Sequence, residues 1–522
     1  MNKQFPLLRR LVASLAFILA SLMATINGGA AFATSYVPIS GAGSSWSSNA
    51  IDQWRRNVVQ YGMKINYAST GSTDGRNQFK GGTVDYAVSE IPYGLVDNGV
   101  PDTLPNQGFA YMPIVAGGTS FMYNLTSGGE QITNLRLSGE NISKMFTGVI
   151  TKWNDPAIAK DNPGLTLPDR TVVPVVRSDG SGSTAQFTLW MSKKYSSIWD
   201  TYCHSVGRST PCGQTSNYPT KSGMVAQPNS QGVSGYVAQK ANEGTITYVE
   251  YSYALKTGFP VVKVLNKAGY YTEPTAQNVA VALLGAKINE TPGDKYLTQI
   301  LDGVYDNKDP RTYPLSSYSY MIVPTELSDS FTAEKGKTLA AFANYFLCQG
   351  QSQADVLGYS PLPSNLVEAG LNQVKKIPGA DVGSVNISKC NNPTLNQTYF
   401  TNAPMPSECD KVGATQCADG TGGATGGTGT TGGTGTTDTT GTTGTTGTTG
   451  GTGGMMSGTM GNGPTVCDAD TGICSSIKAN PVATEALGWS AINWIIVAVT
   501  IVLILIIVVP PVLVITAARR GK

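Results

Sequence analysis

From Gly420 to Gly454 the chain is 16 Gly, 17 Thr, one Ala and one Asp. Nothing in such a tract is large and apolar, so no burial offsets the entropy of ordering it. A compact fold cannot run through it. The chain therefore divides into a body that folds and a tail joined to it by a linker, expected over 418–488. As a coil, the part from Ala418 to Ala479 would span roughly 40–50 Å.

Both ends carry targeting signals. Lys3, Arg9 and Arg10 precede an apolar run, Leu11 to Ile26, and Ala31-Phe32-Ala33 has the small-residue cleavage pattern. Residues 1–33 read as a secretory signal peptide, with the mature chain starting at Thr34. At the other end, Ile492 to Ile515 is apolar apart from Asn493, Thr500, Pro510 and Pro511. That length suits one bilayer-spanning helix, expected over 489–516, with Trp489 and Trp494 at the interface. Arg519, Arg520 and Lys522 make 517–522 a basic cytoplasmic tail. The expected location is the cell membrane, single-pass, with the body outside. Pro510-Pro511 should kink that helix or end it early.

Eight cysteines in an exported chain read first as disulfides. Cys203 with Cys212 and Cys467 with Cys474 are close pairs. Cys348, Cys390, Cys409 and Cys417 leave three pairings open. Only 13% of residues are charged and the net charge is +2, which gives no support for nucleic-acid binding. The one histidine, His204, excludes His-rich metal sites. Any Ser-His chemistry would have to run through it, beside Cys203, where an ordinary surface histidine is the better reading. No metal, cofactor or catalytic residue is expected, and the chain does not read as an enzyme.

In the body, short β-rich runs alternate with helical segments, an α/β pattern. Three places share one grammar: an extended run, a Gly/Ser turn, then a helix. They are Tyr36 to Ile39 with GAGSSW (41–46) and a helix to about Val59, and Lys64 to Ala68 with STGSTDG (69–75) and a helix toward Phe79. The third is Val172 to Val176 with RSDGSGST (177–184) and a helix from Ala185 to about Lys194. Such turns suit anions, because the first helical turn has free N–H groups and a favourable dipole. Hydroxyls add donors, glycine admits close approach, and the Arg177 fork can grip two oxygens. Any one such turn is weak evidence, since Ser and Thr are ordinary N-caps. GAGSSW lacks the third glycine of a dinucleotide fingerprint, and no G-x-x-x-x-G-K-[ST] occurs.

With GAGSSW, STGSTDG, TVDYAVSEIP (83–92) and the long stretch ISKMFTGVITKWNDPAIAKDNPGLTLPDRTVVPVVRSDGSGSTAQFT (142–188), the sequence resembles a known family. NSQGVSGYVAQ (229–239), GTITYVEYSYA (244–254) and LGYSPLPSNLV (357–367) continue the match. The family is the phosphate-binding receptor of the phosphate ABC importer, within the type II periplasmic-binding-protein fold, and the likeness runs from about Pro38 to Gly379. The resemblance implies a two-lobed α/β ectodomain, 34–417. Its first lobe would be about 35–121 plus 318–385 and its second about 122–317, with crossings near Phe121 to Tyr123 and Tyr318 to Tyr320. It also implies that inorganic phosphate binds between the lobes and passes to an ABC permease. The implied ligand residues are Ser45, Trp46, Ser72, Glu90, Arg177, Ser181, Gly182 and Ser183, with Ser44, Thr73 and Asp179 in support, Asp179 orienting Arg177.

Two departures bear on this expectation. Glu90 stands where the family has an aspartate that accepts the hydrogen of protonated phosphate, and it is one methylene longer. Asp74 stands in the second turn where the family usually has a small residue; it either caps the helix, pairs with Arg76 or faces the cleft. The alternative reading is a surface sensing or interaction protein that kept the fold but binds another anion, a wall polymer or a protein.

Overall fold

The computed structural model describes residues 36–381, 387–396 and 398–425, with two short strands at 465–467 and 474–476. The signal peptide and the membrane helix expected from sequence lie outside these residues. Among the described residues no helix is long and apolar enough to cross a membrane.

The main sheet has eight strands: β1 Ile39–Gly43, β2 Ile65–Ala68, β3 Tyr86–Ser89, β4 Phe109–Tyr123, β5 Val173–Arg177, β6 Val225–Gln227, β7 Thr245–Glu250 and β8 Ser316–Pro324. Their order across the sheet is β6-β5-β7-β4-β8-β3-β1-β2. The helices used below are α1 Ser48–Asn57, α2 Ser72–Lys80, α3 Gly182–Lys194, α4 Ser196–Ser205, α5 Asn229–Val237, α6 Tyr251–Thr257, α7 Ala276–Leu283, α8 Ala333–Cys348 and α9 Ser364–Val374.

This is the expected two-lobed α/β architecture. β1 runs parallel to β2 and β3 in the first lobe, and β5 runs parallel to β6 and β7 in the second. The lobes share β4, which is buried from Tyr111 to Tyr123. It pairs antiparallel with β8 up to Gly118 and with β7 from Thr119. The change of partner falls a few residues before the crossing at 121–123 that the resemblance implies. β8 pairs along all nine of its residues with β4 on the first-lobe side.

Local sequence explains the elements that matter. In α1, Ala50, Ile51 and Trp54 are spaced for one buried face, and Trp54 stacks on Phe346 of α8 at 5.1 Å. Truncating a buried tryptophan of this kind costs about 3–5 kcal/mol. Ser181 caps α3 by accepting from the Thr184 N–H at 3.2 Å.

Beyond α9 the chain returns across the molecule as a strap. The Cys348–Cys390 disulfide and the bonds from Asn392 and Thr394 to the Leu362 carbonyl hold it to the first lobe. Arg311, just before β8, donates to the Phe400 carbonyl at 2.9 Å. On the second lobe, buried Arg136 donates to the Cys409 and Ala414 carbonyls, and Lys263 pairs with Asp410 at 2.9 Å. Cys409–Cys417 closes this end, so Cys348–Cys390 and Cys409–Cys417 are the pairing among the three left open by sequence.

The expected linker start needs correction. Thr421 donates its N–H to the Thr133 carbonyl at 2.9 Å and accepts from the Val261 N–H at 3.1 Å, and Gly423 N donates to the Phe259 carbonyl. Residues 418–425 thus lie along the second lobe, held by backbone pairing and by the Thr421 hydroxyl. Further on, Thr465–Cys467 and Cys474–Ser476 pair antiparallel, with Cys467 opposite Cys474.

Candidate functional site

The three Gly/Ser turns follow the carboxyl ends of β1, β2 and β5, where open α/β sheets present their crevice. They bond directly to one another. Gly71 N donates to the Gly43 carbonyl at 2.8 Å, joining the first and second turns. Thr73 N donates to the Gly180 carbonyl at 3.0 Å, and Gly182 N donates to Ser72 Oγ at 3.1 Å, joining the second to the third across the lobes. Gly71 has φ +100°, and a Cβ there would stand 2.5 Å from Asp179 Oδ2 of the other lobe. Only glycine meets both conditions.

Each residue expected at the site is buried here or supports one that is. Ser45 Oγ accepts from the Ser230 N–H at 2.9 Å, linking the first turn to the start of α5. Trp46 is buried with its ring edge-on to Tyr359, and its indole N–H donates to Thr119 Oγ1 at 3.3 Å. Ser181 N donates to the Ser216 carbonyl at 2.9 Å, and Thr73 Oγ1 donates to Ser216 Oγ at 3.1 Å. Arg177 is 3% exposed, and Asp179 holds its fork by two bonds, one of them from Nε at 2.7 Å. Asp179 is fixed in turn by the Asn229 N–H at 2.9 Å. Among the described residues the buried Ser183 hydroxyl has no partner. A buried donor left in this way fits a site that receives an acceptor-rich ligand.

Glu90 is the charged centre of the cleft. It has no exposed surface, and it accepts the hydroxyls of Ser44 at 2.5 Å and Ser319 at 2.5 Å on Oε1 and of Ser72 at 2.7 Å on Oε2. Its carbonyl takes Gln186 Nε2 of α3 at 2.7 Å. Arg177 and Asp179 balance each other, so Glu90 leaves the cleft with one uncompensated negative charge. Asp74, by contrast, is exposed in the first turn of α2 and bonds Gln78 at 2.5 Å, facing away from the cleft. Arg76 pairs with Asp102 instead.

Several contributors were not expected from sequence. Asn229 and Ser230 open α5 just after β6, which repeats the strand–turn–helix grammar with Pro-Asn-Ser in place of glycines. Tyr248 receives the Arg177 N–H at 3.2 Å and meets Thr184 Oγ1 at 2.7 Å. Burial pushes its hydroxyl up to about 12, so it stays protonated. Ser319 lies in the implied crossing at 318–320, where no site role was expected.

The lobes also meet at the cleft mouth. Asp97, on a hairpin of the first lobe, pairs with Arg208 and accepts from Thr215 Oγ1 at 2.7 Å. Ser209 N donates to Asn98 Oδ1 at 3.1 Å. The Cys203–Cys212 disulfide closes this second-lobe loop, and His204 is exposed on α4 beside it. A cavity of about 410 Å³ lies here, but its charged walls are already paired, Arg76 with Asp102 and Arg208 with Asp97. It offers no free charge to rival the cleft.

The chain also matches known proteins. Residues 28–349 match the PBP superfamily domain. The phosphate-binding protein PstS of Xylella fastidiosa (strain Temecula1) is 33% identical over 336 residues, covering 64% of this chain and 84% of that protein. Its counterpart in Pasteurella multocida (strain Pm70) is 32% identical over 356 residues, 67% of this chain and 93% of that protein. The solved phosphate binding protein from Stenotrophomonas maltophilia superposes with a TM-score of 0.48 at 16% identity, over 64% of this chain and 93% of that one. By its domain match and its sequence relatives, this chain belongs to the PBP superfamily and, within it, to the PstS family of phosphate-binding proteins.

Proposed function

We propose that this chain is a receptor outside the cell that binds inorganic phosphate between its lobes and delivers it to an ABC permease. The observation that carries the reading is the mutual bonding of three helix-initiating turns around an oriented Arg177 and a buried Glu90. A phosphate stripped of water must recover its hydrogen bonds from fixed donors. Ser45, Ser72, Ser181, Ser183, the Trp46 and Gly182 backbones and the Arg177 fork are that set, with Ser44, Thr73 and Asp179 behind them. Glu90 then selects the ligand. Phosphate carries a proton that can be donated to the carboxylate, whereas sulfate brings none and faces an unpaired negative charge.

The tether belongs to the same reading. A membrane helix at 489–516 and a linker beyond residue 425 would hold the receptor at high effective concentration near its permease. The phosphate-binding names of the relatives support the ligand.

A second reading, a surface sensing or interaction protein, is favoured by one observation. Glu90 already occupies the Ser44, Ser72 and Ser319 hydroxyls, so the cleft carries an anion of its own. Calorimetry on the purified full chain separates the two. Micromolar or tighter phosphate binding, with sulfate about a hundredfold weaker, is expected for the receptor. No phosphate binding at such concentrations would overturn it in favour of the second reading.

A further inference from the structure

Ser319 lies in β8, outside all three turns, yet its hydroxyl reaches Glu90 Oε1 at 2.5 Å. The strand is built to aim it there. The pairing of β8 with β4 shifts register between Ser319 and Tyr320, an irregularity of the kind that redirects a side chain. Ser44 meets the same oxygen from the first turn, also at 2.5 Å. The two carboxylate oxygens therefore differ in employment. Oε1 is clamped by two hydroxyls, while Oε2 takes only Ser72 and lies against Gly182 of the ligand loop.

The clamp is neutral. Among the described residues no Lys or Arg pairs with Glu90, the cations on either side being engaged by Asp102 and Asp179. A cation at Oε1 would cancel the field that rejects a proton-free anion. Hydroxyls hold the carboxylate in place and leave its charge intact. Glutamate has one more rotatable bond than aspartate, so it needs such fixing to present one oxygen reproducibly.

We infer that Ser319, working with Ser44, is a specificity-determining positioning residue: it clamps Glu90 Oε1 so that Oε2 alone meets the ligand's proton. This rests on the phosphate-binding reading of the cleft. It predicts that Ser319→Ala weakens phosphate binding about tenfold and lowers the phosphate-to-sulfate preference by a similar factor, as Glu90 gains freedom to turn away. Ser319→Thr keeps the hydroxyl and should restore the preference.

The experiment is calorimetry on the full chain, with phosphate titrated directly and sulfate by displacement, for wild type, Ser319→Ala, Ser319→Thr and Ser44→Ala. Loss of preference in Ser319→Ala with recovery in Ser319→Thr supports the clamp. A fall in affinity for both anions by one common factor, leaving the ratio unchanged, overturns it and assigns Ser319 a packing role. If Ser319→Ala fails to fold, Ser44→Ala decides, since it removes the other donor to the same oxygen; an unchanged ratio there also overturns the clamp. Wild type that binds no phosphate refutes the functional reading, and the clamp with it. Binding by wild type with an unaltered ratio in the variants refutes the clamp alone.

Discussion

Replacing Gly182 by alanine adds one methyl group where the third turn meets the first lobe. Gly182 opens α3 with an ordinary helical-side φ, so the backbone accepts alanine, which gains up to about 1 kcal/mol over glycine in a helix. The added Cβ would stand 1.8 Å from Glu90 Oε2 and 2.7 Å from Ser72 Oγ, both on the other lobe. Ordinary carbon contacts are about 3.5–4 Å, so either Glu90 swings away or the lobes stay apart. Losing the Ser72 bond to the carboxylate costs about 1.5–3 kcal/mol, and overpacking adds about 1–3 kcal/mol. The closed, ligand-bound state should lose roughly two to four powers of ten in phosphate affinity. Calorimetry measures that loss, and thermal melting of the ligand-free chain should stay near wild type because an open cleft relieves the clash. A phosphate affinity within about threefold of wild type would refute the claim that the loop and Glu90 meet when ligand is bound.

Three further outcomes follow from named contacts. Arg177→Ala removes the cation assigned to the cleft and leaves Asp179 unpaired, so phosphate binding should fall by at least about a thousandfold, to undetectable in calorimetry; retained binding would place the anion elsewhere. Burial holds the Glu250 carboxyl well above its ordinary value of 4.5, so the folded chain keeps a proton that the unfolded chain releases. The stability from this group is full below 4.5 and drains away as pH rises through the elevated folded value. Melting temperatures of Glu250→Gln should therefore gain on wild type as pH rises above 4.5, and parallel curves would contradict the assignment. Arg136→Ala removes two bonds to the strap, at 2.6 Å to the Cys409 carbonyl and 2.9 Å to that of Ala414, and the stacking of its guanidinium on Tyr271. It should cost about 2–4 kcal/mol and make residues 404–425 the first protease cleavage site; an unchanged digestion pattern would contradict the strap's anchoring.

Three of the turns were legible because their signals are local, whereas the two lobes entered only through the family resemblance. β1, β2 and β5 with α1, α2 and α3 fall within a few residues of the expected runs, since strand, glycine turn and amphipathic helix are adjacent in sequence. The fourth turn was missed because β6 leads into α5 through Pro228 and Asn229, the latter reaching φ +58° without glycine. Ser319 fell within the crossing that the resemblance implies at 318–320, but nothing marked it for the site: a serine between two tyrosines in a buried strand looks like packing until Glu90 is seen against it. The strap was hidden for a related reason. Its hold on the second lobe is largely backbone pairing and carbonyls that accept from Arg136, which composition does not record, so residues from 418 onward read as linker. The disulfide partners Cys348–Cys390 and Cys409–Cys417 became visible only once the strap's route was known.

A structure of the full chain crystallised with phosphate tests the central claim most directly. The account predicts a tetrahedral anion between the lobes, bonded by the Arg177 fork and the Ser183 hydroxyl that now lacks a partner, with Glu90 Oε2 within hydrogen-bond distance of one phosphate oxygen. A cleft in which Glu90 keeps Ser44, Ser72 and Ser319 to itself, with phosphate absent or bound elsewhere, would contradict it.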